Sequence, residues 1–374
     1  MGDSPLRIGV VCYPTVGGSS VIATEVALRG AELGHSVHLI SYDRPHRLRE
    51  DVPGLTYHNV HVAGYPLFKF PPYDLALATR MLEVQEEAKV DVFHVHYAIP
   101  HAVSAFLARS IAGDNLRFIT TLHGTDITVV GADPAYTRPT SFAIEQSNAV
   151  TAVSRFLADE TKDFFGVQRG IEVIPNFVDT ERFSPGTGGR YYERANEERI
   201  IFHASNFRPV KRVADVVRAF AHIAREVPAR LFLVGDGPDR DHALAVAADL
   251  GCADRIEHVG NHEEPQRILA DADLCLMASE TESFGLVLLE AMSCGVPCAT
   301  TNVGGVREVV ADTGFYAPLG QPEVLARAAL PCLRSADTHR KLGKTARERA
   351  ITKFERSNIL DQYFDLYRHV LSST

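Results

Sequence analysis

A chain of 374 residues with 45% hydrophobic and 23% charged side chains has the composition of an ordinary globular protein. It is longer than the roughly 250–300 residues at which single cores stop growing, which predicts two domains. The net charge of -9 argues against a nucleic-acid partner, so any phosphate site has to be built locally.

No apolar run approaches the roughly 20 residues that span a bilayer. The start, MGDSPLR, has no secretory apolar region, and Leu6 does not fit the myristoylation pattern. The expectation is a cytoplasmic protein without stable membrane association. Cysteines at 12, 252, 275, 294, 298 and 332 form no C-x-x-C pair. Most sit in apolar runs, which points to buried thiols rather than disulfides or zinc.

In chain order, residues 6–13 read as an apolar strand, followed by Pro14-Thr15-Val16-Gly17-Gly18-Ser19-Ser20 and an amphipathic run ending at Gly34. A strand, a glycine loop and a helix let a ligand approach a helix N-terminus closely. The loop is not G-x-G-x-x-G, and no acidic residue closes the second strand, Ser36–Ser41. On its own the double glycine is either a tight turn or a site. Residues 73–89 and 102–111 read as helices, and 90–97 and 117–123 as strands. His94 and His96 share one strand face, yet no third ligand has metal spacing, so they read as hydrogen-bonded core residues. His123-Gly124-Thr125-Asp126 follows a strand's carboxyl end, where open α/β sheets place ligands. Helix 141–147, strand 149–154, helix Arg155–Phe165 and strand 171–175 close the first half.

The loop Ser184-Pro185-Gly186-Thr187-Gly188-Gly189 and the polar residues after it read as a linker over 184–198. A second alternation starts at 200–204 and continues through Ser205-Asn206-Phe207-Arg208-Pro209-Val210-Lys211-Arg212 into helix Val213–Glu226. Cations beside a helix N-terminus oppose its dipole unless an anion intervenes. A bound diphosphate would resolve that conflict; solvated surface charge is the plainer reading. Strand 230–234, helix 240–250, strand 255–259 and helix 265–270 follow, with helices near 323–334, 338–352 and 357–371 at the end.

Between them stands SETESFGLVLLEAMSCGVPCATTNVGG, residues 279–305. Residues 272–277 are an apolar run, Ser283-Phe284-Gly285 has helix-start character, and Leu286–Ser293 is a helix stopped by Gly295 and Pro297. Backbone N–H groups of Phe284, Gly285 and Leu286 at such a start suit an anion. Glu282 precedes the helix and Glu290 lies buried in its apolar run, where an unpaired carboxylate is costly. A nest flanked by two carboxylates suits a ligand with phosphates and hydroxyls, such as a sugar nucleotide. A Glu that merely caps a neighbouring loop is the alternative.

The string ESFGLVLLEAMSCGVP, with NVGG and Glu308 after it, resembles the retaining nucleotide-sugar glycosyltransferases of the GT-B fold. That resemblance implies an α/β protein of two Rossmann-like domains facing each other across a cleft. The expected division is an acceptor-binding domain over 1–183, the linker, and a UDP-sugar-binding domain over 199–356, with the last helix, about 357–374, crossing back to the first domain. Glu282 would contact donor-sugar hydroxyls, Glu290 the ribose diol, and Arg208 and Lys211 the leaving UDP. Asn206, Phe284, Gly285, Leu286, Gly17 and Gly18 would complete the donor side, and His123 would sit by the sugar. CYPTVGGSS, FPPYDLALA, HVHYAIPHA, TTLHGTDIT, AIEQS and SNFRPVKR resemble the branch of this family that transfers N-acetylglucosamine from UDP-N-acetylglucosamine to L-malate, opening bacillithiol biosynthesis.

On that likeness Ser19, Tyr97, Thr121 and Asp126 are acceptor-side candidates. The branch carries an Arg directly before F-x-I-E-Q; here Ser141 stands there and Arg138 lies three residues upstream, so Arg138 is the candidate cation for malate. No DxD-type motif stands in a metal-site context, so the expectation is an enzyme that needs neither a metal nor another cofactor. The oligomeric state, a homodimer included, stays open. Rival readings are a relative acting on a lipid or polysaccharide acceptor, a nucleotide-sugar-binding protein without turnover, and an epimerase.

Overall fold

The computed structural model describes residues 4–373 except 16, 49, 114, 115, 188, 190 and 196. Long runs of β-branched and aromatic residues bounded by loops give strands buried on both faces, the signature of parallel sheets covered by helices. The chain divides into two units, Met1–Asn176 with Ser357–Thr374, and Phe177–Arg356.

In the first unit β1 (Arg7–Val11), β2 (Ser36–Ser41), β3 (Leu55–Asn59), β4 (Val92–His96), β5 (Phe118–Leu122), β6 (Ala149–Ala152) and β7 (Glu172–Val173) form a parallel sheet of order β3-β2-β1-β4-β5-β6-β7. Helices α1 (Gly18–Glu32), α2 (Tyr73–Ala88), α3 (Val103–Ala112), α4 (Thr137–Gln146) and α5 (Arg155–Phe165) connect the strands. Val11, Phe93, Val95 and Phe118 meet Leu77, Met81 and Val84 of α2 in one buried cluster. The sequence gives no sign of β3, an edge strand of Leu-Thr-Tyr-His-Asn in which only His58 is buried. Helix α4 begins earlier than the pattern predicts, because Pro139 falls in its first turn, where a missing N–H costs nothing.

The second unit has β8 (Arg199–Ala204), β9 (Ala229–Val234), β10 (Ile256–Gly260), β11 (Leu274–Met277), β12 (Cys298–Thr301) and β13 (Gly314–Ala317) in the order β10-β9-β8-β11-β12-β13. Its helices are α6 (Val213–Glu226), α7 (Arg240–Asp249), α8 (Pro265–Leu269), α9 (Leu286–Ser293), α10 (Val306–Val310), α11 (Pro322–Arg334) and α12 (Ala336–Phe354). The core here is the α6 face of Val213, Val216, Val217, Phe220 and Ile223 laid on Leu231, Leu233, Leu274 and Leu276. Burying a side chain of this size is worth about 1.5–3 kcal/mol each. Described residues of the stretch 184–198, expected as a linker, make contacts with this unit. Arg194 reaches Asp273 at 2.9 Å and Tyr191 meets the Phe232 ring edge-on, and just before the stretch Ser293 Oγ donates to the Phe183 carbonyl at 2.6 Å.

Helix α13 (Arg356–Ser372) packs Leu360, Tyr363, Phe364 and Tyr367 into the first unit, where Tyr367 Oη bonds His94 Nδ1 at 2.6 Å. Only the first unit is therefore assembled from two stretches of chain. Each sheet runs outward in both directions from its first strand, so β1/β4 and β8/β11 are topological switch points. Ligands bind outside the carboxyl ends of strands at such points. All six cysteines are buried and free, and among the described residues no helix is long and apolar enough to cross a membrane.

Candidate functional site

At the β8/β11 switch point two loops meet. After β8, Phe207 and Arg212 both take positive φ, 41° and 48°, conformations that cost non-glycine residues energy and persist only where surroundings hold them. Between them Pro209–Lys211 make one 3-10 turn that ends on Lys211. After β11, Glu280 N donates to the Val210 carbonyl at 2.8 Å, which joins the loops. Lys211 Nζ then meets Glu282 Oε2 at 2.6 Å, with side chains 23% and 15% exposed. The pair is open enough to admit a ligand and enclosed enough for charge to matter. His203, on β8, bonds the Leu276 carbonyl and Ser205 Oγ, each at 2.9 Å, and burial lowers its pKa to about 4. It is a neutral tie between β8 and β11.

The conflict between cations and the α6 dipole is partly resolved within the chain. Asp215, in the first turn of α6 and 6% exposed, accepts from Arg212 at 2.7 Å and Arg218 at 2.8 Å. Arg208 is exposed, and its carbonyl accepts from the Lys211 N–H at 2.8 Å while its guanidinium stays free of ion pairs among the described residues. Asn206 is exposed beside it. Helix α9 starts at Gly285, whose φ of 97° lies in the left-handed region, with no side chain capping that end. Phe284 is buried against Phe354, and Leu286 is half-buried. Glu290, expected to be buried, is half-buried: α9 turns Leu288, Leu289, Ala291 and Met292 to the core and leaves Glu290, like Leu286 and Val287, at the edge.

The main chain of Glu282 is held from behind by Gly304 and Gly305, the latter donating to the Glu282 carbonyl at 2.9 Å. A Cβ on Gly304, at φ +55°, would stand 2.0 Å from that carbonyl oxygen. Gly304→Ala is therefore expected to push Glu282 off Lys211 and lower kcat/KM by about 10²-fold, the cost of an ångström-scale misplacement. Steady-state rates near wild type would refute this. Gly17→Ala is the contrast. Gly17 has extended backbone and an added Cβ would meet only Thr15 Oγ1, at 4.0 Å.

At the β1/β4 switch point Gly17 and Gly18 are exposed at the start of α1, which has no side-chain cap. Ser19 Oγ and Tyr97 Oη lie 2.6 Å apart. Tyr97, directly after β4, has φ 89°, strain in a bulky residue that points to function. Around it gather side chains the sequence reading passed over. Tyr13 lies 5.6 Å from Tyr97 and 4.4 Å from His101, Tyr42 and Tyr73 are 5.7 Å apart, and Tyr97 is 5.2 Å from His123. A usable signal existed, since Tyr13, Tyr42, Tyr97 and His123 each fall one or two residues past a strand end.

His123 is half-buried, and its Nε2 lies 2.9 Å from His96 Nδ1. Burial pushes its pKa down to about 3, helped by His101. Two acceptor-side candidates are already occupied. Thr121 Oγ1 lies in the sheet interior at 2.6 Å from His94 Nε2 and 2.7 Å from Thr151 Oγ1. Asp126, 1% exposed, accepts from the backbone N–H groups of Ala98, Gly124 and His123 at 3.0, 2.9 and 3.1 Å. It stitches the β4 and β5 loops together, and burial raises its pKa to about 6 against the pull of those N–H groups. Arg138 is exposed in the first turn of α4, and the Ser141 hydroxyl is spent on the Phe165 carbonyl at 3.2 Å. Among the described residues no group of three His, Cys, Asp or Glu side chains is placed to hold a metal ion.

Two parallel Rossmann-like sheets, each with a polar cluster at its switch point, are the layout of a GT-B glycosyltransferase, and the chain belongs to that family. Residues 191–349 match the family model for glycosyl transferases group 1, and residues 16–182 match glycosyltransferase family 4. The chain is 45% identical over 371 residues to N-acetyl-alpha-D-glucosaminyl L-malate synthase of Bacillus anthracis, covering 98% of this chain and 97% of that one. It is 29% identical over 334 residues to a D-inositol 3-phosphate glycosyltransferase of Streptosporangium roseum, covering 79% and 75%. Among solved structures, sucrose-phosphate synthase from Thermosynechococcus elongatus superposes with a TM-score of 0.83 at 22% identity, covering 99% of this chain and 100% of that one. That likeness establishes the fold. The protein is a hexosyltransferase.

Proposed function

We propose that this enzyme transfers N-acetylglucosamine from UDP-N-acetylglucosamine to the 2-hydroxyl of L-malate, with retention at the anomeric carbon, at the opening of bacillithiol biosynthesis. The observation that carries the reading is 45% identity to the Bacillus anthracis synthase along 98% of the chain. On the donor side, Arg208 and Lys211 offset charge on the leaving diphosphate. Glu282, with one oxygen on Lys211, accepts from the hexose hydroxyls, and Glu290 accepts from the ribose diol. Asn206, Phe284, Gly285 and Leu286 line the start of α9, whose uncapped end favours anionic oxygens. The two cations make a divalent metal unnecessary. On the acceptor side, the Ser19–Tyr97 hydroxyl pair and the N-terminal end of α1 at Gly17 and Gly18 face the substrates, and Arg138 is the cation for a malate carboxylate.

Retention through a covalent intermediate needs a carboxylate nucleophile. Asp126 is the candidate in the first unit's loops, and its oxygens are engaged by three backbone N–H groups. The reading is therefore front-face displacement. The bond from C1 to the UDP oxygen breaks, the bond from C1 to the malate oxygen forms on the same face, and the malate hydroxyl proton passes to the departing phosphate. The substrates are soluble metabolites, which suits a cytoplasmic enzyme.

UDP release from UDP-N-acetylglucosamine, assayed in EDTA with and without L-malate, tests this. Malate-dependent release is expected; release indifferent to malate would overturn the acceptor. A second reading, an acceptor at a lipid surface, draws on Leu67, Phe68 and Phe70, exposed by 82, 51 and 78% around Lys69. Co-sedimentation with vesicles would favour it.

A further inference from the structure

His96 is fully buried on β4 and takes no part in the chemistry described above. Its Nδ1 lies 2.9 Å from His123 Nε2. Its Nε2 is buried and has no hydrogen-bond partner among the described residues. His101 Nδ1 lies 2.5 Å from the His96 carbonyl, a bond in which His101 is the donor, so the neighbouring imidazole is fixed from the main chain of the same residue. The His94 ring, 4.2 Å from that of His96, is held through both nitrogens by Tyr367 and Thr121. The fully buried His96 ring thus packs against a fixed neighbour, and among the described residues its one hydrogen bond is to His123.

Two tautomer arrangements satisfy the His96–His123 bond. In one, His123 Nε2–H donates to His96 Nδ1, and His96 must carry its hydrogen on Nε2. That buries an N–H with no acceptor. In the other, His96 Nδ1–H donates to His123 Nε2, and the unpartnered His96 Nε2 is only a lone pair. Orphaned buried N–H groups are rarer than under-used acceptors, and an unmet buried donor shifts such a balance by about a factor of ten or more. The second arrangement wins. It leaves the hydrogen of His123 on Nδ1, which has no partner among the described residues and belongs to a half-buried side chain at the carboxyl end of β5.

We infer that His96 is a positioning residue that locks His123 in the Nδ1–H tautomer, so that His123 acts in the site as a hydrogen-bond donor to a ligand oxygen and not as a proton acceptor. The inference rests on the proposed function for the identity of that oxygen, a hydroxyl or carbonyl of the transferred sugar, but not for the tautomer. The dyad stays neutral at working pH, so the donor neither gains nor loses a charge during turnover.

Long-range ¹H–¹⁵N correlation spectra of histidine-labelled enzyme, assigned with His123→Gln, read the tautomer directly and need no activity. The expected result is a protonated Nδ1 and an unprotonated Nε2 at His123. A protonated Nε2 overturns the inference whatever the substrate is. Kinetics supply the second arm. His96→Asn keeps a donor near the Nδ1 position and is expected to retain kcat within a few-fold. His96→Leu removes it and should lower kcat about tenfold, a step weaker than loss of a direct donor, with UDP affinity by calorimetry unchanged. Equal kcat in the two variants, both folded by circular dichroism, would also overturn it. Failure of malate as acceptor would leave the spectroscopic result standing.

Discussion

Lys211→Ala is expected to lower kcat by about 10²-fold or more while the protein stays folded, because a cation aimed at a charge that grows only in the transition state is worth most there. The geometry sharpens the expectation. Lys211 is delivered by a one-turn helix flanked by two residues at positive φ, and its Nζ lies 2.6 Å from Glu282 Oε2. Part of any loss in the alanine variant will come from leaving Glu282 without its partner. The combination with Glu282→Gln separates the two effects. If Lys211 only neutralised Glu282, the double variant would recover most of the activity lost in Lys211→Ala. If Lys211 assists the leaving phosphate, the double variant stays at least as slow. KM for the donor should move less than kcat in either case, since ground-state binding is shared with Arg208 and the α9 end. A kcat unchanged in Lys211→Ala would remove the residue from the chemistry.

How much of this was readable in advance differs by kind of feature. Val213–Glu226, Leu286–Ser293 and Arg155–Phe165 were legible because a helical apolar period and its stop signals are local. Strand β3 was not, because its five residues bury one histidine and owe their conformation to pairing with β2. Lys211 and Glu282 were each flagged by motif, but their meeting across 71 residues depends on β8 and β11 being neighbours. Asp126 and Thr121 show the limit of that reasoning. A polar residue at a strand end serves either a ligand or the loop itself, and the sequence carries no mark of which. Here backbone N–H groups claim Asp126, and His94 with Thr151 claims Thr121. The expected linker shows the same limit, since Gly and Pro mark irregular backbone without saying whether it docks. Tyr13 and Tyr42 were overlooked because tyrosine after a buried strand looks like core, and Tyr73 because it reads as the first residue of a helix.

Acidification should destabilise the first unit steeply, well above the pH at which carboxylates titrate. Burial holds His94 and His123 down to about 3, His101 to about 4, and His96 well below the usual 6.5. In the unfolded chain all four would titrate near 6.5. Above that pH both states are neutral at these positions and stability does not depend on them. Below it the unfolded chain takes up protons that the folded chain refuses, so stability falls with pH until the folded values are reached. Each such histidine removes up to about 1.4 kcal/mol per pH unit. Asp126 works in the opposite sense. With its folded pKa raised to about 6, it binds a proton in the native state first, and it offsets roughly one histidine between there and its unfolded value. For these five groups alone the balance is a slope on the order of 4 kcal/mol per pH unit below about pH 5.5. His58, lowered to about 4 by burial, adds to it in the same sense. That is enough to exhaust a stability of about 5–15 kcal/mol within a few units. The urea midpoint of the intact protein, followed by near-ultraviolet circular dichroism of its tyrosines since the chain has no tryptophan, should be level from pH 8 to 7 and drop sharply from about 6.5 to 5. A midpoint that stays level to pH 5 would mean that the histidine cluster is protonated within the fold. Its rings would then have to be solvated or partnered by an anion, and His96 could not hold a neutral His123 as a donor.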